Sequence, residues 1–172
     1  MQQPTVVHLM RHGQVHNPEG VLYGRLPGFG LSELGHDMAA RLAGYWKGAP
    51  LTHLRCSPLQ RARETLAPTA DLFPQLDVVI DERVIEAANA FEGKVFGANN
   101  KALRDVRMIR HVLNPLRPSW GEPYREIVAR MRAAMKDAAA AAGPGGQALV
   151  VSHQLPIEMA RRDAEGKPLV HD

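Results

Sequence analysis

An α/β fold, a three-layer α/β/α sandwich around a mostly parallel central sheet, is what the sequence predicts. Three observations carry the expectation. Short apolar runs of strand length alternate with longer segments of helical periodicity, the pattern of a parallel sheet covered by helices on both faces. Helix-start residues and glycine or proline punctuate these segments. Two strand-like runs end in Arg11-His12 and Ser152-His153, as expected where ligands bind outside the carboxyl ends of parallel strands.

The first run, Thr5-Val6-Val7-His8-Leu9-Met10, predicts a buried strand delivering Arg11 and His12 to its end, with Gly13 allowing a tight turn. Residues 17–30 are rich in Gly and Pro and read as a loop. The glycines at 24, 28 and 30 lack the spacing and setting of a dinucleotide fingerprint. Ser32 reads as the N-cap of a helix presenting Met38, Leu42 and Tyr45 at helical spacing. Leu51-Thr52-His53-Leu54-Arg55-Cys56 reads as a second strand. Ser57-Pro58 follows as an N-cap with proline at the first helical position, opening a helix toward Phe73. Residues 76–80 form a third strand-like run, and residues 82–118 are broken by Gly93, Gly97, Pro115 and Pro118. The clearest helix spans residues 122–142, closed by Gly143-Pro144-Gly145-Gly146. Ala148-Leu149-Val150-Val151 is a buried strand leading to Ser152-His153, and Pro156 opens a last helix.

Bulk properties narrow the function classes. A length of 172 residues predicts a single domain, residues 1–172, able to bury its own core. No apolar run approaches the roughly 18 residues of a membrane span, and Met1-Gln2-Gln3-Pro4 lacks the form of a secretory leader. The single cysteine, Cys56, excludes an internal disulfide and a cysteine-rich zinc site, so a cytoplasmic location is expected. A net charge of +3 is spread along the chain without a basic block or interleaved aromatics, which argues against nucleic acid as a partner and suits an enzyme for phosphorylated substrates. A homodimer is compatible with the sequence.

The chemistry-bearing residues fall into an ordered set: Arg11-His12-Gly13, Asn17, Ser57-Pro58-Leu59-Gln60-Arg61-Ala62, Glu86 upstream of Glu92-Gly93, and Val151-Ser152-His153. This set resembles the histidine phosphatase superfamily, with its phosphoglycerate mutase-like fold, over residues 6–165. Local variants such as Gly24-Arg25-Leu26-Pro27-Gly28, Glu86-Ala87-Ala88-Asn89, Trp120-Gly121-Glu122-Pro123-Tyr124 and Ser152-His153-Gln154-Leu155-Pro156 resemble an actinobacterial branch whose substrate the resemblance does not supply.

The resemblance implies a phosphomonoesterase acting on a small phosphorylated metabolite. His12 is then the nucleophile that forms a phosphohistidine, Arg11, Arg61 and His153 hold the phosphoryl oxygens, and Glu86 is the general acid and base. Such chemistry demands a neutral His12 whose tautomer is fixed by a partner on one ring nitrogen, and flanking arginines that disfavour imidazolium. Asn17, Gly24 and the backbone of Gln154 are expected to line the same pocket. No metal or other cofactor is required, because arginines supply the positive charge. Two departures stand out: Gln154 replaces the glycine that usually follows the second histidine, and the chain stops at His171-Asp172, where relatives continue into a further strand. The alternatives to hydrolysis are mutase-type transfer to a second hydroxyl and a non-catalytic phospho-ligand-binding module.

Competing readings accompany several residues. Glu92 is the rival of Glu86, and Glu82 reads as solvated. Arg63 lies elsewhere on its helix than Arg61. His8, His12 and His16 have metal-ligand spacing for a helix, but a strand and a glycine turn separate them. Lys101, Arg104, Arg107 and Arg110 recur every third residue, either as a solvated helix face or as a rim at which Arg104 and Arg107 bind a distal anionic group of the substrate.

Overall fold

Strands and helices alternate as the apolar pattern requires in the computed structural model, which describes residues 4–95 and 121–170. The elements are β1 (Val6–Arg11), α1 (Glu33–Trp46), β2 (Leu51–Cys56), α2 (Gln60–Ala70), β3 (Val78–Ile80), a 3-10 turn (Glu82–Val84), α3 (Tyr124–Ala142), β4 (Gln147–Ser152) and α4 (Gln154–Ala164). The four strands lie in the order β1-β4-β2-β3, and every pairing is parallel. Among the described residues no helix is long and apolar enough to cross a membrane.

β4 explains the uninterrupted apolar run in the sequence. With strands on both sides and helices on both faces, it has no solvent side, and Ala148, Leu149, Val150 and Val151 are all fully buried. Its alternate residues feed two cores. Ala148 and Val150 join Val84, Ile127, Met131, Ala134 and Met159 beneath α3 and α4. Leu149 and Val151 join Trp46, Leu54, Leu66 and Phe73 beneath α1 and α2. The three layers follow from this two-sided burial.

Four local expectations are corrected. α1 is capped by Ser32, whose hydroxyl accepts from the Gly35 amide, but its buried stripe is Gly35, Ala39, Ala43 and Trp46. Met38 and Tyr45 face solvent, and the stripe stays small over Gly35, Ala39 and Ala43, where the helix lies close to its neighbours, before Trp46 enters the core at its end. α2 begins at Gln60 rather than at Pro58 and ends at Ala70, before Phe73. β3 is confined to Val78–Ile80, an exposed edge. α4 starts at Gln154, which leaves Pro156 within the first turn, where its missing N–H has no helical acceptor.

Close backbone contact fixes α1 against the first turn. A Cβ on Gly13 would lie 2.8 Å from the Gly35 carbonyl oxygen, and one on Gly35 would lie 2.1 Å from that of Gln14. Gly13 is therefore demanded by proximity and not by a left-handed backbone. Gly35→Ala is expected to destabilise the fold by about 2 kcal/mol, since the atom it meets is backbone and cannot swing aside. Urea unfolding of the variant measures this, and an unchanged midpoint would refute the packing argument.

Candidate active site

The carboxyl ends of the two adjacent strands β1 and β4 bring the histidines together. The ladder runs one step beyond β1, where the His12 amide donates to the Ser152 carbonyl at 3.2 Å. The rings of His12 and His153 lie 5.1 Å apart. His12 is buried, and its Nδ1 donates to the Gly13 carbonyl oxygen at 2.7 Å. That bond fixes the tautomer and leaves Nε2 with its lone pair. Burial pushes the His12 pKa down to about 4; the Gly13 bond opposes this, and Arg61 and Arg11 add to it.

α2 supplies Arg61 from its first turn. The Thr65 hydroxyl donates to the Arg61 carbonyl at 2.7 Å and accepts the Gly13 amide at 2.9 Å. One hydroxyl thus ties the arginine's helix to the turn bearing His12. The Arg61 side chain is almost wholly buried. Nη2 donates to the Gly24 carbonyl at 2.6 Å, the guanidinium lies 4.7 Å from the Tyr23 ring centre, and Nη2 stands 3.5 Å from His153 Nδ1. Among the described residues Nε has no partner, and no carboxylate forms an ion pair with the group. Burial accordingly lowers its pKa, opposed by Tyr23, Glu86 and Glu92.

His153 is fully buried at the cap of α4. A guanidinium can only donate, so Nδ1 faces Arg61 as an acceptor and Nε2 gives its proton to the Ser57 hydroxyl at 2.7 Å. Burial, reinforced by Arg61, His12, Arg130 and Arg11, lowers its pKa to about 2. Glu86 closes the group, with Oε2 4.0 Å from His153 Nδ1 and Oε1 accepting the Ala87 amide at 2.8 Å. Burial raises its pKa, against the Ala87 amide and the charges of Arg61, Arg130 and Arg11. Arg11 is exposed at the end of β1.

A largely shielded carboxyl held toward its protonated form, a neutral histidine with a free nitrogen and two arginines form a set suited to an anion and to proton transfer. A family model described as the histidine phosphatase superfamily (branch 1) matches residues 7–171. The chain belongs to the histidine phosphatase superfamily. It is 48% identical over 172 residues, all of this chain and 84% of the relative, to the uncharacterized protein Rv0525 of Mycobacterium tuberculosis. Among solved structures, the alpha-ribazole phosphatase from Shigella flexneri superposes with a TM-score of 0.75 at 21% identity, covering 95% of this chain and 81% of that one. The mycobacterial glucosyl-3-phosphoglycerate phosphatase Rv2419c gives 0.72 at 24% identity, covering 94% and 79%. At such identities the two structures establish the fold.

In this member of the superfamily the other expected residues hold varied places. Gly24 offers its carbonyl to Arg61. The Asn17 side chain is spent on Val21, donating to its carbonyl at 2.9 Å and accepting its amide at 3.0 Å, so it shapes the loop that carries Gly24. Gln154 is exposed at the first position of α4. Glu92 accepts the Arg25 amide at 3.1 Å. His8 donates to Gln147 Oε1 at 3.0 Å and meets the Trp46 ring, apart from His12. Lys101, Arg104, Arg107 and Arg110 lie outside the described residues.

Sequence reasoning missed Tyr23, Ser57 and Thr65. Ser57 was expected to cap α2, yet its hydroxyl serves His153. Thr65 carried a usable signal, since it lies one helical turn after Arg61.

The two buried histidines set an acid limit on stability. In the unfolded chain they titrate near the ordinary 6.5, in the folded one at about 4 and about 2. The unfolded state therefore binds the extra protons as pH falls below 6.5. The stability associated with the neutral rings is complete above about 6.5 and drains away as the pH drops through the interval below it. The expected slope is about 1.4 kcal/mol per pH unit for each histidine. Urea unfolding between pH 7.5 and 5 should show a shallower slope for His12→Asn, by about one proton. Identical slopes would contradict the buried, neutral state of His12.

Proposed function

We propose that the chain is a metal-independent phosphomonoesterase that hydrolyses a small phosphorylated metabolite through a phosphohistidine at His12. The observation that carries this reading is the Nδ1 bond from His12 to Gly13, which leaves Nε2 unprotonated beside Arg61 and His153. Nε2 attacks phosphorus, and the bond from phosphorus to the ester oxygen breaks. Glu86 gives its proton to the departing oxygen. Water then attacks the phosphohistidine, Glu86 takes up the water's proton, and inorganic phosphate leaves with His12 again neutral.

Arg61 and Arg11 supply the positive charge that the phosphoryl oxygens require. The bound dianion favours the protonated form of Glu86. That the two structural neighbours are phosphatases supports hydrolysis of a phosphate monoester.

The test is a chelator-treated preparation given an aryl phosphate and, separately, a phosphorus-labelled ester with acid and alkaline quenching. The expected result is phosphate release and an acid-labile, base-stable label on His12. Ligand binding without turnover would replace the enzyme with a binding module, and transfer to a second hydroxyl without phosphate release would make it a mutase.

A further inference from the structure

Glu86 stands just past the 3-10 turn, and residues 83–86 have no strand ladder to serve their backbone carbonyls. Such groups need donors from elsewhere. The carbonyls of four consecutive residues are each taken by a side chain. Arg130 Nη1 donates to Arg83 at 2.6 Å and to Ile85 at 2.8 Å, the Ser152 hydroxyl to Val84 at 2.8 Å, and Arg25 Nε to Glu86 itself at 2.7 Å.

The two arginines are joined by one carboxylate. Glu122 accepts Arg130 Nε at 2.7 Å and Nη2 at 3.0 Å, and Arg25 Nη2 at 2.9 Å. It lies just ahead of α3, largely shielded from solvent. Its fork-to-fork bond with Arg130 fixes that guanidinium in the plane from which it reaches both carbonyls. Arg25 also follows Gly24, whose carbonyl holds Arg61. Adjacent residues of one loop therefore grip the acid's backbone and the anion-binding arginine.

We infer that Arg25, Glu122 and Arg130 form a clamp that positions the Glu86 carboxyl for proton transfer to the leaving oxygen. None of the three touches the reacting atoms; they act through the backbone of Glu86. The inference rests on the assignment of Glu86 as the acid, and the test separates the two claims. An ester whose leaving group is a strongly acidic phenol needs little protonation, whereas one whose leaving group is an aliphatic alcohol depends on it. Misplacing the acid therefore costs rate on the alkyl ester alone, while general loosening of the site costs rate on both.

The experiment compares kcat/KM for 4-nitrophenyl phosphate and an alkyl phosphate in the wild type, Glu86→Gln, Glu122→Gln, Arg25→Lys and Arg130→Lys. The lysine variants keep the charge and lose the planar fork, so their effect reports geometry rather than field. The expected result is a loss of roughly tenfold or more on the alkyl ester and less than about threefold on the nitrophenyl ester for the clamp variants, with a larger split for Glu86→Gln. If Glu86→Gln shows the split and the clamp variants lose both substrates equally or neither, the clamp is refuted while the acid stands. If Glu86→Gln shows no split, the acid assignment falls and the clamp with it. Should Glu122→Gln fail to fold, the two lysine variants decide the question.

Discussion

His12→Asn protein is expected to fold and to lose phosphatase activity by roughly 10,000-fold or more, with no phosphoenzyme trapped after quenching. Asparagine keeps a donor that can reach the Gly13 carbonyl now bonded to Nδ1, so the turn retains its bond while the nucleophilic nitrogen is gone. The flanking arginines remain, and binding of inorganic phosphate should persist. Initial rates with an aryl phosphate, phosphate titration by calorimetry and a thermal melt together check this outcome. A variant retaining a hundredth of wild-type activity would place the nucleophile elsewhere.

Arg61→Met is expected to move activity and stability in opposite directions. The guanidinium is buried with a single strong neutral acceptor, the Gly24 carbonyl, and no carboxylate ion pair among the described residues. Its charge is therefore poorly compensated in the folded protein, in accord with a lowered pKa whose main cause is burial. The arginine remains charged at every working pH, so this cost is always present. A methionine of similar length covers the Tyr23 face without it, and a gain of about 1 kcal/mol is expected. Activity should fall roughly 1,000-fold, because the strongest donors to the phosphoryl oxygens are lost. Urea unfolding alongside kcat/KM tests both halves. A variant less stable than wild type by more than about 1 kcal/mol would show that Arg61 serves the fold rather than strains it.

The fold was legible because its signals are local. The run at β4 is apolar without interruption, the Ser32 cap sits directly before its helix, and glycines follow α3. What misled was phase. Met38 and Tyr45 carry a helical repeat as regular as that of Ala39 and Ala43, and only the closeness of the neighbouring backbone selects the smaller stripe. His12 and His153 stood out at strand ends, Arg61 and Glu86 came through the family resemblance, and the structure brings the four together. Their supports could not be read in either way. Arg25, Glu122 and Arg130 each look like solvated charge in the sequence, and they meet only because the loop after β1 crosses the start of α3. Ser57 has the form of a cap and acts instead on a ring far along the chain.

The order of the sheet has a consequence for how the molecule comes into being. Among the described residues β4 is the last strand, yet it lies between β1 and β2. Val6 pairs with Gln147 and Leu54 with Leu149, so the sheet closes through partners remote in sequence. Topologies of this kind fold slowly and leave strand edges unpaired until closure. During synthesis the two earlier strands wait without a common neighbour. His153 enters with the strand that joins them, so the chain gains its second histidine only as the sheet is completed. Recovery of activity in refolding is thus a direct timer for the insertion of the central strand.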